Sequence, residues 1–248
     1  MQCPKCDKSC VDTATECRNC GIIFSKFYKK LEEKTKRQLD NPEVKFIDTT
    51  GNNLRSLKQL LFYTEEEVNY VVFGGRLILF TIILIYGVKF CFASIESNYA
   101  GKSFLHLVNL PFHEAGHVFL RPFPRLLTSL GGTIGQLAMP LTCMVVLLLQ
   151  TRDTFGASVC LWWVGQNFFD IAPYINDARS LSLPLVGGNV GFRSPYGFHD
   201  WEFILSETGL LSYDHFLARF AVGIGIFLFL VAYSWGSWIL IRQYRNLK

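Results

Sequence analysis

Apolar positions along this chain gather into long runs separated by short polar breaks. The runs 71–93, 103–120, 138–150, 155–175 and 216–241 read as helices at membrane depth. A helix of about 20 mainly apolar residues crosses a hydrocarbon core of about 30 Å. Arg76 and Lys89 lie near the ends of the first run, where long side chains can reach the interface. Pro122 and Pro124 close the second run, since proline cannot continue a helix. The Gly131-Gly132 and Gly135-Gln136 stretch that follows suggests a re-entrant segment before the third run. The pattern predicts an α-helical polytopic membrane protein of about five segments, one of them re-entrant.

The first 70 residues break this pattern. Residues 24–39 place Phe24, Phe27, Tyr28 and Leu31 at helical spacing among many lysines, as a surface-lying amphipathic helix or a solvated linker helix would. Residues 40–56 carry Pro, Gly and Asn and read as an irregular connector. Residues 57–67 read as a further interfacial helix. Residues 178–214 again leave membrane-like composition, with glycines at 187, 188 and 191 marking a loop and His199-Asp200-Trp201 opening a short helix.

Composition agrees with the runs. Hydrophobic residues make up 50% of the 248 and charged residues 18%, which is the balance of a membrane protein with a polar end. The net charge of +4 gives no reason to expect nucleic acid as a partner. Twelve of the 24 Lys and Arg lie in the first 70 residues, which places the N-terminus on the cytoplasmic side, at a cell (inner) membrane.

The cysteines mark the N-terminal module. Cys3 and Cys6 form one C-x-x-C pair, Cys17 and Cys20 a second, and Gly21 follows for a tight turn. Four thiolates at this spacing close a tetrahedral site, so residues 1–25 read as a zinc ribbon in a reducing compartment. Cys10 is spare. With no open position, such a site is structural and offers a docking surface for a cytosolic protein.

The chemistry lies in the second apolar run. His113, Glu114 and His117 form H-E-x-x-H inside LPFHEAGHVFL. On a helix the two histidines stand one turn apart on one face and can hold one metal ion, and Glu114 can reach a water on it. His106 shares that face. A catalytic zinc takes three protein ligands and a water. Asp170, Asp177, His199 and Asp200 have the right chemistry for the third ligand. Asp170 inside an apolar run costs about 2.5–3.5 kcal/mol on insertion scales, so a functional role is its default reading.

HEAGH within an apolar helix resembles the site-2 protease family of intramembrane zinc metalloproteases. In that family a later helix carries N-x-x-P-x-P-x-L-D-G, whose Asp is the third zinc ligand. Asn167-Phe-Phe-Asp170-Ile-Ala-Pro173-Tyr-Ile-Asn-Asp177-Ala178 is similar, with a longer Asn-to-Asp spacing, Asp170 in place of the first Pro and N-D-A in place of L-D-G. The resemblance spans about residues 104–180. It implies that Asp177 is the third ligand, with Asp170 next, and that Asn167 holds the substrate backbone. It further implies that Glu114 is the catalytic base and that transmembrane proteins are the substrates. Residues 26–70 are then a charged linker with an interfacial helix, and 71–248 a membrane-embedded metallopeptidase-like domain holding a catalytic zinc. A non-proteolytic zinc-binding membrane scaffold, docking a partner through the ribbon, is the competing expectation.

Overall fold

The computed structural model describes residues 2–6, 8–11, 14–29, 32, 53–186, 188, 190–191 and 199–248. Most of the expected amphipathic helix beyond residue 29 and most of the connector at 40–56 lie outside them, as do residues 187 and 189 of the glycine loop. The chain divides into two units, Met1–Leu54 and Arg55–Lys248.

In the first unit the two C-x-x-C pairs form two similar knuckles. Each is flanked by a single antiparallel bridge, Gln2 with Ser9 and Glu16 with Ile23. Backbone bonds from Cys17 N to Ile22 O (2.9 Å) and from Gly21 N to Cys17 O (2.8 Å) tighten the second knuckle, with Gly21 at φ +68°. Residues 24–29 are helical, and Phe24 packs on the buried Cys3 and Cys17.

The second unit is helical, and its described residues contain no strand beyond isolated bridges. Its helices are α1 (Asn53–Leu61), α2 (Tyr70–Phe92), α3 (Phe104–Leu120), α4 (Arg125–Val146), α5 (Thr154–Asn176), α6 (Asp200–Glu207) and α7 (Asp214–Arg245). Local sequence sets their starts. Asn69, Ser103 and Asp153 cap α2, α3 and α5 by accepting bonds from backbone N–H groups of the first turn. Pro124 stands at the N-cap position of α4, where its missing N–H costs no bond.

Among the described residues, three helices are long and apolar enough to cross a membrane: Tyr70–Phe92, Arg125–Thr151 and Leu211–Arg245. The expected five segments are therefore reduced to three. At 17 residues α3 measures only about 25 Å at 1.5 Å per residue, short of a hydrocarbon core of about 30 Å. The 23-residue α5 is long enough but carries Gln166, Asn167 and Asp170, all buried inside the protein. It is the central pillar, packed most extensively against α7. Trp162 on α5 stacks on Phe229 of α7 (centroids 5.1 Å apart, planes 6° apart). Such aromatic pairs add about 0.5–1.5 kcal/mol beyond their buried area. Trp162 Nε1 donates to the Tyr233 hydroxyl (2.8 Å), which donates to the Ile83 carbonyl (2.9 Å), so α2, α5 and α7 are tied by one chain of bonds.

The Gly131–Gln136 stretch is also not the re-entrant element expected from its composition. α4 runs unbroken through it. Its glycines serve close packing: a Cβ on Gly116 of α3 would overlap the carbonyl of Gly131, and one on Gly135 would overlap that of Phe112. The two backbones meet directly, and this contact fixes α3 against α4.

Candidate metal centre

The approach of α3 to α4 brings the histidines over Gly132. A Cβ there would overlap the ring of His113 and lie 2.6 Å from His117 Nε2. Both imidazoles are held through Nδ1. His113 Nδ1 faces Gln136 Oε1 at 2.8 Å, and His117 Nδ1 faces the Thr128 carbonyl at 2.7 Å. A carbonyl only accepts, so Nδ1 carries the proton and the Nε2 lone pair is directed outward. That is the usual arrangement of a metal-binding imidazole and its orienting acceptor.

The third group comes from α6. Asp200 Oδ2 lies 3.1 Å from His117 Nε2 and 3.4 Å from His113 Nε2, and the two Nε2 atoms are 3.1 Å apart. Ligands bound tetrahedrally at about 2.0–2.1 Å stand about 3.3 Å from one another. The triangle of 3.1, 3.1 and 3.4 Å therefore has the dimensions of three corners of a zinc tetrahedron, and His113, His117 and Asp200 could hold one metal ion.

His113, Glu114, His117 and Asp200 line one cavity of about 910 Å³. Glu114 is exposed to it, adjacent to the first histidine. We expect Gly132→Ala to displace both imidazoles and weaken this site about 10–100-fold, the range seen when the orienting groups of a ligand are disturbed. Metal content by mass spectrometry should fall by one ion per chain while the cysteine site stays filled.

Of the expected third ligands, the structure brings neither Asp177 nor Asp170 to the histidines. Asp177 ends α5 and is gripped by the loop after it. It accepts from the Ser182 N–H (3.0 Å) and hydroxyl (2.7 Å), the Leu183 N–H (2.8 Å) and the Ser180 hydroxyl. Burial raises its pKa, but these donors outweigh burial and lower it. Ser180 and Ser182, close behind an Asp at a helix end, are the sequence signal of such a turn. A carboxyl with a depressed folded-state pKa contributes stability above its unfolded pKa of about 3.9, and that stability is lost as pH falls through the folded value. Asp177→Asn should thus lower stability by about 1–3 kcal/mol at pH 7, with the difference from the parent vanishing in strong acid, as unfolding in denaturant at the two pH values will measure.

The remaining predicted groups also have definite places. Asp170 is buried and bonds to His106 Nδ1 (2.9 Å) and Asn109 Nδ2 (2.9 Å). Asn167 is fully buried, donates to the Trp163 carbonyl at 3.0 Å and lies away from the cavity lining. His199 caps α6, its Nδ1 accepting from Glu202 N at 3.1 Å, and its Nε2 stands 3.6 Å from Asp177 Oδ2. Asp177 and His199 thereby sit beside Asp200 without joining its triangle. Gln136 and Thr128 were not singled out from sequence as parts of the site. Gln136 is marked only as a polar residue one helical turn beyond Gly132, and the Thr128 carbonyl has no side-chain signature.

In the N-terminal unit Cys3, Cys6, Cys17 and Cys20 converge and could hold a metal ion. The Cys3–Cys20 and Cys6–Cys17 sulfur separations are 3.6 and 3.8 Å. A tetrahedron of Zn–S bonds of about 2.3 Å has edges of about 3.8 Å. Backbone N–H groups of residues 20 and 19 lower the Cys17 thiol to about 6, so this sulfur is ready as thiolate at neutral pH. Cys10 lies 3.6 Å from the Cys17 sulfur, beside the four.

No family model matches the chain, and neither a curated protein nor a solved structure matches it.

Proposed function

We propose that the chain is a membrane-embedded zinc metallopeptidase that hydrolyses peptide bonds of membrane-spanning or juxtamembrane proteins, in the manner of the site-2 protease family, with its zinc ribbon as a cytosolic docking module. The observation that carries this reading is the convergence of His113, His117 and Asp200 beside Glu114 in one cavity. Three protein ligands leave one tetrahedral corner for water, which supports hydrolysis over a purely structural metal in a scaffold. The three long apolar helices support a membrane location with the basic N-terminal region on the cytoplasmic side.

When bound, zinc lowers the pKa of its water to about 7 and polarises the carbonyl under attack. The protein supplies the rest. Gln136 and the Thr128 carbonyl fix the imidazoles in the ligating tautomer. Glu114 takes the proton of the attacking water and delivers it to the leaving amine nitrogen, so one water is consumed for one amide bond broken. Asp200 supplies the negative charge that a neutral His–His pair lacks. Glu114 is supplied by the same helix as the two histidines, so its place beside them is set by α3 itself.

The test is cleavage of a transmembrane reporter by the purified zinc-loaded chain in bilayer discs. Product should appear with zinc, disappear on chelation and return when zinc is restored. Cleavage that survives chelation would contradict a metal mechanism.

A further inference from the structure

The cavity that holds the metal triangle continues along α3 to a second polar centre. His106 lies two turns before His113 on the same face, about 10.5 Å along the axis at 1.5 Å per residue. Both line the same cavity, and so does Asp170. Asp170 Oδ1 is 2.9 Å from His106 Nδ1, and Asn109 Nδ2 donates to the other oxygen at 2.9 Å. The Asp170 side chain is only 3% exposed, and that of His106 is 19% exposed. The ring of His106 stacks on Tyr174, with planes 15° apart, which fixes its orientation.

A buried carboxylate is costly unless it is paired, and the imidazole on which Asp170 is spent lines the cavity. With Asp170 on Nδ1, the imidazolium form of His106 is favoured, and it presents an Nε2–H donor. Among the described residues no protein acceptor bonds to that Nε2. Glu96, Lys102 and Arg125 also line the cavity, and Lys102 Nζ donates to the Ser97 carbonyl at 3.0 Å. Two helical turns from His113, His106 stands too far along the helix to exchange a proton with the reacting atoms, which must lie within about 3 Å of such a group. An extended peptide advances about 3.3 Å per residue, so the separation equals about three residues.

We propose that His106, oriented by Asp170, is a substrate-binding subsite for a peptide carboxylate placed about three residues from the bond that is cut. This rests on the hydrolase reading for the meaning of the distance, but the binding itself is measurable without cleavage. A carboxylate side chain and a free C-terminus offer the same chemistry. A charge-assisted hydrogen bond is roughly twice as strong as a neutral one. A carboxylate should therefore be favoured about tenfold or more over its amide.

The experiment uses the full chain carrying Glu114→Gln in detergent micelles, loaded with zinc, with three probes: acetyl-tetraalanine, its C-terminal amide, and that amide with Glu at the third position. Calorimetry gives Kd, and nitrogen NMR of labelled histidine follows the His106 ring. The expected result is tighter binding of one or both acids, with a saturable His106 shift. His106→Gln should abolish the preference and Lys102→Met should leave it in place. The His106→Gln/Asp170→Asn pair, which removes both charges together, keeps the test valid if the single change unfolds the chain. Preference for the free C-terminus alone assigns the subsite to chain ends, and preference for the Glu peptide assigns it to side chains. A preference that survives His106→Gln would overturn the proposal, as would equal binding of all three probes or none. Cleavage by the zinc-loaded parent chain without any acid preference sinks the subsite alone. Acid preference without cleavage sinks the hydrolase alone.

Discussion

Glu114→Gln should lower the rate of peptide hydrolysis by about 10²–10⁴-fold while leaving metal content unchanged. The side chain lines the cavity beside His113, lies outside the metal triangle, forms no ion pair among the described residues, and is exposed on α3. Replacing its carboxylate by an amide preserves shape and removes the basic site. The helix should be unaffected, since Gln and Glu have similar helix propensities. Steady-state cleavage of a reporter together with zinc per chain measures both halves. A variant that loses zinc along with activity would make Glu114 a ligand instead of a base. A variant that cleaves at the parent rate would remove it from the mechanism.

Asp200→Ala should empty the membrane-unit site and abolish activity with it. The carboxylate is one of the three groups that could hold the ion and the only one with formal negative charge. Disturbing a group that merely orients a ligand costs about 10–100-fold in affinity, so deleting a ligand should cost at least about 100-fold. Asp177→Ala provides the contrast. Its bonds are to Ser180, Ser182 and Leu183, so it should weaken the loop and spare the metal. Asp170→Ala should likewise retain the metal, since its partners are His106 and Asn109.

These contrasts mark where sequence reasoning reaches and where it stops. The two C-x-x-C pairs and H-E-x-x-H are legible because their spacing is local: a knuckle or one helical turn sets the geometry whatever the rest of the chain does. The third candidate ligand is not local. Asp200 belongs to a short helix after a polar stretch, and only folding brings α6 to α3. Asp177 had the better motif context, yet Ser180 and Ser182 behind it supply the donors that hold it in a turn. Span counting failed for a related reason. The apolar run of α5 is interrupted by Gln166, Asn167 and Asp170, which lower its hydropathy and are tolerated because they are buried against neighbours. The glycines of α4 signal close approach as well as flexibility, and which of the two applies depends on Gly116 and Phe112 across the interface.

The most direct test of the whole account is zinc per chain, measured by mass spectrometry on the purified full chain and three variants. The account predicts two ions in the parent, two in Asp177→Ala, one in Asp200→Ala and one in Cys17→Ser. Retention of both ions in Asp200→Ala, with loss of one in Asp177→Ala, would contradict the metal triangle of His113, His117 and Asp200.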